Sequence, residues 1–226
     1  GSVSRRNTRT VSMTFNNVFN YNVDINDRNA LQLMAGQEYY QYNSNYFGGA
    51  RQQIIMMGFD QPDAAARLVD FYGKADEYKM LSFFGNAQYS LDKKYYLSAS
   101  YRRDGSSRFA PENRWGDFWS VGASWRIIDE DFLTKYRDTW LSNLLFRVSY
   151  GAQGNDNIGY YAYQGLYQIF NTVGEGGVTT KGLATPELTW EKNLNLNIGL
   201  DFGFFNNRLT GTVEYFQRKS DDLLFE

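Results

Sequence analysis

The 226-residue sequence contains no cysteine and no histidine. Disulfide bonds, thiolate nucleophiles and zinc sites built on Cys or His are therefore excluded. Proline occurs only 3 times, and no apolar run approaches the ~18 residues that would predict a transmembrane helix. The net charge of −2 provides no bulk field that would attract nucleic acid, so we expect no nucleic-acid partner.

The sequence also lacks a Gly-rich phosphate loop and a nucleophile elbow, and it offers no His base. The paired carboxylates at 129–131 and 221–222 lie at a predicted helix start and near the end of the sequence, so we assign them no catalysis. We therefore expect no enzyme activity, no cofactor and no metal.

Aromatic side chains and glycine are what the sequence has in abundance. Aromatics make up 18 % of the chain and there are 21 glycines, a combination that favours strands and turns over helices.

Apolar and polar residues alternate with period two along much of the chain. In the clearest segment, 11–24, the apolar residues from Val11 to Val23 share one parity and the polar residues from Ser12 to Asp24 share the other. The pattern recurs at 81–91, 95–102, 119–127, 144–153, 194–204 and 209–218, with a weaker segment at 31–40. It predicts an all-β fold, an antiparallel up-and-down meander of about eight strands.

Alternation alone fits both a soluble β-sheet protein and a membrane barrel, which differ in the face that meets water. The length of segments 11–24, 77–91 and 190–204 favours the barrel, because soluble strands average ~5–6 residues and membrane strands need ~9–11. Short turns are expected at 25–29, 92–94 and 205–208, and long loops at 43–76, 104–117 and 154–189. This alternation is typical of outer-membrane barrels, although the connection 128–143 is long for the short-turn end.

Aromatic residues also crowd the predicted strand ends, where they could form interfacial girdles. The high strand propensity of Tyr and Trp explains the same placement equally well.

Two short helices are predicted in the connections. Residues 129–140 place Phe132, Tyr136 and Trp140 on one helical face, with Asp129 as a candidate N-cap, and this helix would close the end of a hairpin. A second helix is expected at 62–72, inside a long loop. It would begin at Pro62, because proline is favoured at the first position of a helix.

Four further segments are informative: "MAGQEYYQY" (34–42), "YSLDKKYYLSASYRRDGSSRFAPENRWGDFWSVGASWRI" (89–127), "LSNLLFRVSYGAQGNDNIGYYAYQGLY" (141–167) and "PELTWEKNLNLNIGLDFGFFNNRLTGTVEYFQRKSDDLL" (186–224). In order and spacing they resemble the SusC/RagA family of TonB-dependent outer-membrane transporters of Bacteroidetes-type bacteria. The resemblance implies a barrel of ~22 strands in the outer membrane, with a plugged lumen. It also implies import of oligosaccharides or peptides, with a SusD-like surface lipoprotein and TonB as partners.

The sequence departs from the family pattern because it shows no plug domain, no TonB box and no further strand run. We expect residues 3–226 to form a partial barrel domain that supplies about eight of the ~22 strands and contacts outer-membrane lipid. Such a piece would not transport solute alone and would self-associate through its open strand edges. Gly1 and Ser2 resemble an expression scar. The alternative function is a soluble β-rich carbohydrate-binding module, in which exposed Trp and Tyr stack on sugars.

Polar residues on the strands and loops are candidates for a lumen face or solute path. They are Arg102, Arg103, Asp104, Arg108, Arg126, Arg147, Asn155, Asp156, Asn157, Asp201 and Glu214, and Arg218 shares their pattern. These residues would either select solute or pair with one another across neighbouring strands. The segment 154–159 could supply oxygen ligands to Ca²⁺, but it lacks the ligand spacing of an EF-hand.

Overall fold

The computed structural model describes residues 1–55, 58, 61–137, 139–172 and 175–224, without the side chains of 171–172. Its strands are β1 (Ser2–Asn26), β2 (Asn29–Ile54), β3 (Ala65–Leu91), β4 (Tyr95–Ser106), β5 (Trp115–Arg126), β6 (Leu141–Asn155), β7 (Leu166–Thr172), β8 (Glu175–Gly182), β9 (Glu191–Phe204) and β10 (Leu209–Asp221). The helical elements are 3-10 turns at Pro62–Ala64, Ile127–Asp129 and Asp131–Leu133, and one short α-helix, α1 (Thr134–Arg137).

The predicted all-β, up-and-down architecture is confirmed. Eight strands form one antiparallel sheet in the order β1-β2-β3-β4-β5-β6-β9-β10. Neighbouring strands of this sheet follow one another in the sequence, except β6 and β9, which are separated by β7 and β8. Strands β7 and β8 form a separate antiparallel hairpin inside the connection from β6 to β9. No helix among the described residues is long and apolar enough to cross a membrane.

The chain divides into two compact units. The first consists of Gly1–Phe15 and Tyr39–Met80, and the second of Asn16–Glu38 and Leu81–Glu226. In the first unit, ring contacts join Tyr40 to Tyr78 and Tyr46 to Tyr72, with centroids 5.9 and 6.3 Å apart.

The predicted loop at 43–76 and the predicted helix at 62–72 are wrong. Strand β2 continues to Ile54 and β3 begins at Ala65, so the connection shrinks to 55–64. Of the connection's described residues, 55, 58 and 61–64, only Pro62–Ala64 are helical. Apolar and polar residues do not alternate in these strand extensions, which removes the sequence signal for strands. Pairing between the strands satisfies their backbone groups and outweighs the helix propensity of the Ala-rich run.

In the second unit, the turns predicted at 92–94 and 205–208 are confirmed. Asp92, Lys93, Phe205, Asn206 and Asn207 all adopt left-handed backbone angles, with φ between 53° and 58°. Asn and Asp tolerate this conformation better than most residues, which explains the turn chemistry at three of the five positions.

The connection from β5 to β6 differs from the predicted helix 129–140. It consists of two 3-10 turns and the four-residue helix α1. The expected N-cap fails because the Asp129 carboxylate instead accepts a hydrogen bond from Arg126 Nε at 2.8 Å and pairs with Arg137 at 3.3 Å. The predicted long loops at 104–117 and 154–189 are also shorter, because β4 extends to Ser106 and the hairpin β7–β8 occupies part of the second.

The strand register separates the second unit's sheet into two faces. One row across β4, β5, β6, β9 and β10 contains Leu97, Ala123, Val148, Ile198 and Tyr215. The adjacent row contains Ser98, Gly122, Ser149, Asn197 and Phe216. We call these the apolar face and the polar face. Large side chains on the apolar face are exposed, including Tyr95, Leu97, Tyr101, Trp119, Val121, Tyr150, Leu200, Val213 and Tyr215, and an exposed apolar surface of this size marks a membrane or partner contact.

Candidate functional site: the polar face of the sheet

Small side chains form the middle of the polar face. Two open pockets adjoin there, sharing Ser149 and Asn197, and we call them together the groove. Small residues that line it are Ser98, Ser100, Ser120, Gly122, Ser124, Ser149, Gly151 and Gly199. The hydroxyls of Ser100 and Ser120, on the neighbouring strands β4 and β5, are 2.6 Å apart. Because these side chains are short and polar, the groove leaves room for water, a solute or another polypeptide against the strand backbones.

An ion cluster centred on Arg147 borders the groove. The Arg147 guanidinium, on β6, donates to Asp201 on β9 at 3.0 Å and to Glu214 on β10. The Thr212 hydroxyl also donates to Asp201, at 2.7 Å. One cation thereby joins three adjacent strands, which is the mutual pairing expected for charges on a lumen wall.

A second cluster is centred on Arg102 of β4. Arg102 Nε donates to Asp104 at 2.6 Å, and Nη2 donates to Ser82 on β3 at 2.9 Å and to Glu38 on β2 at 3.4 Å. The guanidinium carbon also lies 5.6 Å from the centre of the Phe84 ring. Asp104 and Ser82 are buried, so this cluster is a structural tie as well as a charged surface.

A third, amide-based cluster involves Asn193 of β9. The Asn193 side-chain oxygen accepts hydrogen bonds from Arg218 and from Ser220, both on β10. Its amide donates to Glu191 at 3.0 Å, and Glu191 also accepts from Asn155 at 3.3 Å. Asn155 is one of the predicted site residues. Its amide joins the end of β6 to Glu191 on β9.

The loop residues of the predicted set meet around Asp156. The Ser106 hydroxyl donates to the Asp156 carboxylate at 2.7 Å, and Arg108 Nη1 donates to the Asp156 backbone carbonyl at 2.8 Å. The Arg108 guanidinium also lies over the Tyr160 ring, 5.0 Å from its centre. The Asn157 backbone N–H donates to the Asn155 side chain, forming an Asx turn. These contacts explain the Asn-Asp-Asn run as turn chemistry.

An aromatic cluster supports these loops. Trp190 is 3 % exposed and packs against Phe109 and Phe118, with ring centroids 5.4 and 5.2 Å away. Trp190 Nε1 donates to the Arg114 carbonyl at 2.9 Å. A Cβ at Gly154 would lie 2.1 Å from Phe118 Cζ, so the ring occupies space that only glycine leaves open.

The register divides the predicted residues between the two faces. Arg102, Asp104, Arg126, Arg147, Asp201 and Glu214 share the parity of the polar face. Arg103 lies on the opposite parity, where it pairs with Asp117 at 3.6 Å and its guanidinium lies 5.5 Å from the centre of the Trp115 ring. Arg126 pairs with Asp129 at the end of β5. Sequence reasoning missed Glu38, Ser82 and Asn193, although the polar parity of β9 already contained Asn193.

The described residues contain no group of three or more His, Cys, Asp or Glu side chains that could hold a metal ion. Asp92 and Glu130 lie outside the strands, and the pKa of each carboxyl group is below its ordinary value. The hydrogen bond from Arg28 holds the pKa of Asp92 below its ordinary value. Donation from the Tyr95 hydroxyl and the Trp125 indole likewise lowers the pKa of Glu130. Both shifts follow from hydrogen bonds that favour the charged carboxylate.

Comparison with known proteins identifies relatives over the whole chain. Residues 1–226 match the family model "TonB dependent receptor-like, beta-barrel". The chain is 36 % identical over 204 residues to TonB-dependent receptor SusC of Bacteroides thetaiotaomicron, which covers 87 % of the chain and 20 % of SusC. It is 31 % identical over 227 residues to TonB-dependent receptor P3 of Formosa agariphila, covering 98 % of the chain and 22 % of that receptor.

A solved structure agrees with these sequence relatives. The structure of the RagAB peptide transporter superposes with a TM-score of 0.90 at 33 % identity, covering 98 % of the chain and 25 % of that protein chain. The chain therefore spans about a fifth to a quarter of the length of the relatives it matches.

Proposed function

The chain belongs to the TonB-dependent receptor-like β-barrel family, and we propose that it forms part of the wall of an importer of oligosaccharides or peptides. It lies in the bacterial outer membrane, as these receptors do. Its relatives are receptors and transporters and not enzymes. In the proposed importer the apolar face contacts lipid and the polar face borders the lumen.

The observation that carries this proposal is the separation of side chains between the two faces. The clusters around Arg147, Arg102 and Asn193 all lie on the polar parity, while the exposed Leu, Val, Tyr and Trp side chains of β4, β5, β6, β9 and β10 lie on the other. Charges facing lipid near the bilayer centre would be strongly unfavourable, whereas a wet lumen supplies them with partners and water.

Within this proposal most of the predicted strand residues stabilise the barrel wall beside the solute path, and Arg103 contacts lipid. Arg102, Asp104, Arg147, Asp201 and Glu214 hold neighbouring strands together and leave a charged border beside the small-residue groove. The groove itself is the surface along which a solute or the plug would pass. Arg103 has the parity of the apolar face and lies beside the Trp115 ring. In this proposal it therefore contacts the lipid interface.

We infer the partners of the whole protein from the family to which the chain belongs. A SusD-like surface lipoprotein would deliver solute at the long-connection end, and TonB would supply energy from the other side. β1 and β10 are the edge strands of the described sheet, so an isolated chain should self-associate through them unless other strands pair with these edges. The exposed aromatic side chains of β4, β5 and β6 lie on the apolar face, away from the polar groove, which disfavours the soluble carbohydrate-binding alternative.

The proposal is tested by narrowing the groove in the whole transporter. Ser149→Tyr and Ser100→Tyr place bulky rings on the polar face, and Ala123→Tyr places the same ring on the apolar face as a matched control. Uptake of labelled oligosaccharide and peptide mixtures would be measured in cells that produce each variant at equal surface level. We expect several-fold slower uptake of one solute class for the two serine variants and unchanged uptake for Ala123→Tyr. Equal uptake by all three variants would contradict the proposed lumen.

A further inference from the structure

The connection from β5 to β6, residues 127–140, lies at the same end of the sheet as the turns 92–94 and 205–208. In an outer-membrane barrel the short connections face the periplasm. This connection is much longer than its neighbours, and we call it the β5–β6 segment. Its contacts show which face of the sheet it covers.

Two anchoring contacts place the β5–β6 segment against the apolar face. Glu130 accepts hydrogen bonds from the Tyr95 hydroxyl and from Trp125 Nε1, the latter at 2.9 Å. Tyr95 and Trp125 are register partners on the apolar face, and their rings stack with centroids 6.2 Å apart. At the other end of the segment, Trp140 stacks on Phe204 at 5.6 Å, and Phe204 has the apolar parity of β9.

Three aromatic side chains of the segment remain exposed beside these contacts. Phe132, Tyr136 and Trp140 are 65 %, 40 % and 46 % exposed, and the Tyr136 and Trp140 rings are in contact at 6.0 Å. The basic residue Lys135 lies in the same segment and is also exposed, whereas Arg137 pairs with Asp129 at 3.3 Å. Ile128 is 2 % exposed and fixes the start of the segment.

This combination has the chemistry of an interfacial membrane element. Exposed aromatics next to Lys and Arg insert at the boundary between headgroups and acyl chains, where rings contact apolar lipid and cations meet phosphates. A segment that faced the periplasmic solution would leave three large aromatic side chains in water. Because the segment rests on the outer, lipid-facing side of the strand ends, its exposed rings continue the lipid-contacting surface.

We propose that the β5–β6 segment lies in the periplasmic leaflet of the outer membrane and binds phospholipid through Phe132, Tyr136 and Trp140, with Lys135 toward the lipid phosphates. The segment extends the lipid-contacting perimeter of the barrel beyond its strands. The inference depends on the apolar face contacting lipid, and the experiment below separates the two claims.

The test measures the depth of single labelled positions in the whole protein. Residues 1–226 contain no cysteine. After replacement of any cysteine outside them, Phe132→Cys can be labelled with a nitrobenzoxadiazole probe and the whole protein reconstituted in phosphatidylcholine vesicles. A fraction of the lipid carries a nitroxide at carbon 5 of an acyl chain as quencher. Leu97→Cys, on the apolar face near the same end, is the lipid control, and the exposed Lys93→Cys in the neighbouring turn is the water control.

We expect nitroxide quenching at Phe132→Cys to be within about twofold of that at Leu97→Cys and well above that at Lys93→Cys. Quenching at Leu97→Cys together with none at Phe132→Cys would overturn the inference while leaving the membrane wall intact, and would favour a periplasmic protein as the segment's partner. Absence of quenching at both positions would overturn the inference and the lipid-facing apolar surface together. Because Phe132 is largely exposed, its replacement should not impair folding, which heat-dependent mobility in gel electrophoresis would verify.

Discussion

Gly154→Ala should destabilise the protein by overpacking the aromatic cluster beneath the loops. The added Cβ would lie 2.1 Å from Phe118 Cζ and 2.4 Å from Cε1. The Phe118 ring has little freedom to withdraw, because it is 6 % exposed, contacts Trp190 at 5.2 Å, and lies close to Gly116, where an added Cβ would be 2.5 Å from the same Cζ. Inserting a methyl group into such packing costs about 1–3 kcal/mol.

Shortening the opposing ring should relieve the clash. Phe118→Leu removes the atoms nearest to position 154 and should cost about 1 kcal/mol alone. The double variant Gly154→Ala/Phe118→Leu should therefore be more stable than the sum of the single effects by about 1 kcal/mol or more. Gly176→Ala is the matched control, because a Cβ there meets nothing within 4 Å. That control should be neutral or stabilising by up to about 1 kcal/mol.

The assay is urea-induced unfolding of the whole protein in detergent micelles, followed by tryptophan fluorescence, which reports on Trp190 among other residues. Additivity of the two single variants within about 0.5 kcal/mol would refute the proposed contact. So would a Gly154→Ala variant no less stable than Gly176→Ala.

Three further predictions follow from the ion pairs and from Trp190. Arg147→Met should lower stability more than Arg103→Met, since Arg147 pairs with carboxylates on two strands and Arg103 pairs with the half-exposed Asp117 on one. Thermal unfolding of both variants checks the order, and adding Asp201→Asn should partly restore the stability of the Arg147 variant. The Arg28–Asp92 pair lowers the pKa of Asp92, so its contribution to stability should be complete above the ordinary Asp pKa of about 3.9 and decline as pH falls through the lowered value; Asp92→Asn should flatten the acid limb of a pH–stability curve, and an unchanged curve would disprove the link. Trp190→Phe should lose the indole hydrogen bond to the Arg114 carbonyl and destabilise by about 1–2 kcal/mol in the same urea assay, whereas an unaffected midpoint would show that the bond contributes nothing.

The strand pattern of the second unit could be predicted from the sequence because its two faces meet different environments. Apolar residues at 194–204 identified β9, and the turn 205–208 ended it at Phe204 as predicted. The strand extensions that include Arg51 and Arg67 carried no such signal, because polar and apolar residues do not alternate there. The sequence does not predict the hairpin β7–β8 for a related reason, since its strands are short and lie within the predicted loop 154–189.

The site could be predicted only in part. Parity already separates Arg102 from Arg103, because consecutive strand residues face opposite sides. The partners of Arg147 could not be read in the same way. Asp201 lies 54 residues away, across the connection that contains β7 and β8, so the lateral register of β6 against β9 is a property of the folded sheet. The same limit applies to Arg102 and Glu38, which are 64 residues apart.

The central claim is that the apolar face meets lipid and the polar face meets the lumen. Single cysteines placed at each position from Tyr96 to Arg102 on β4 test it most directly, with a water-soluble maleimide and a lipid-confined nitroxide quencher applied to the whole protein in vesicles. We predict strict alternation: residues 97, 99 and 101 quenched by lipid, and residues 96, 98, 100 and 102 labelled from water. Uniform labelling along the strand, or quenching with the opposite parity, would contradict the account.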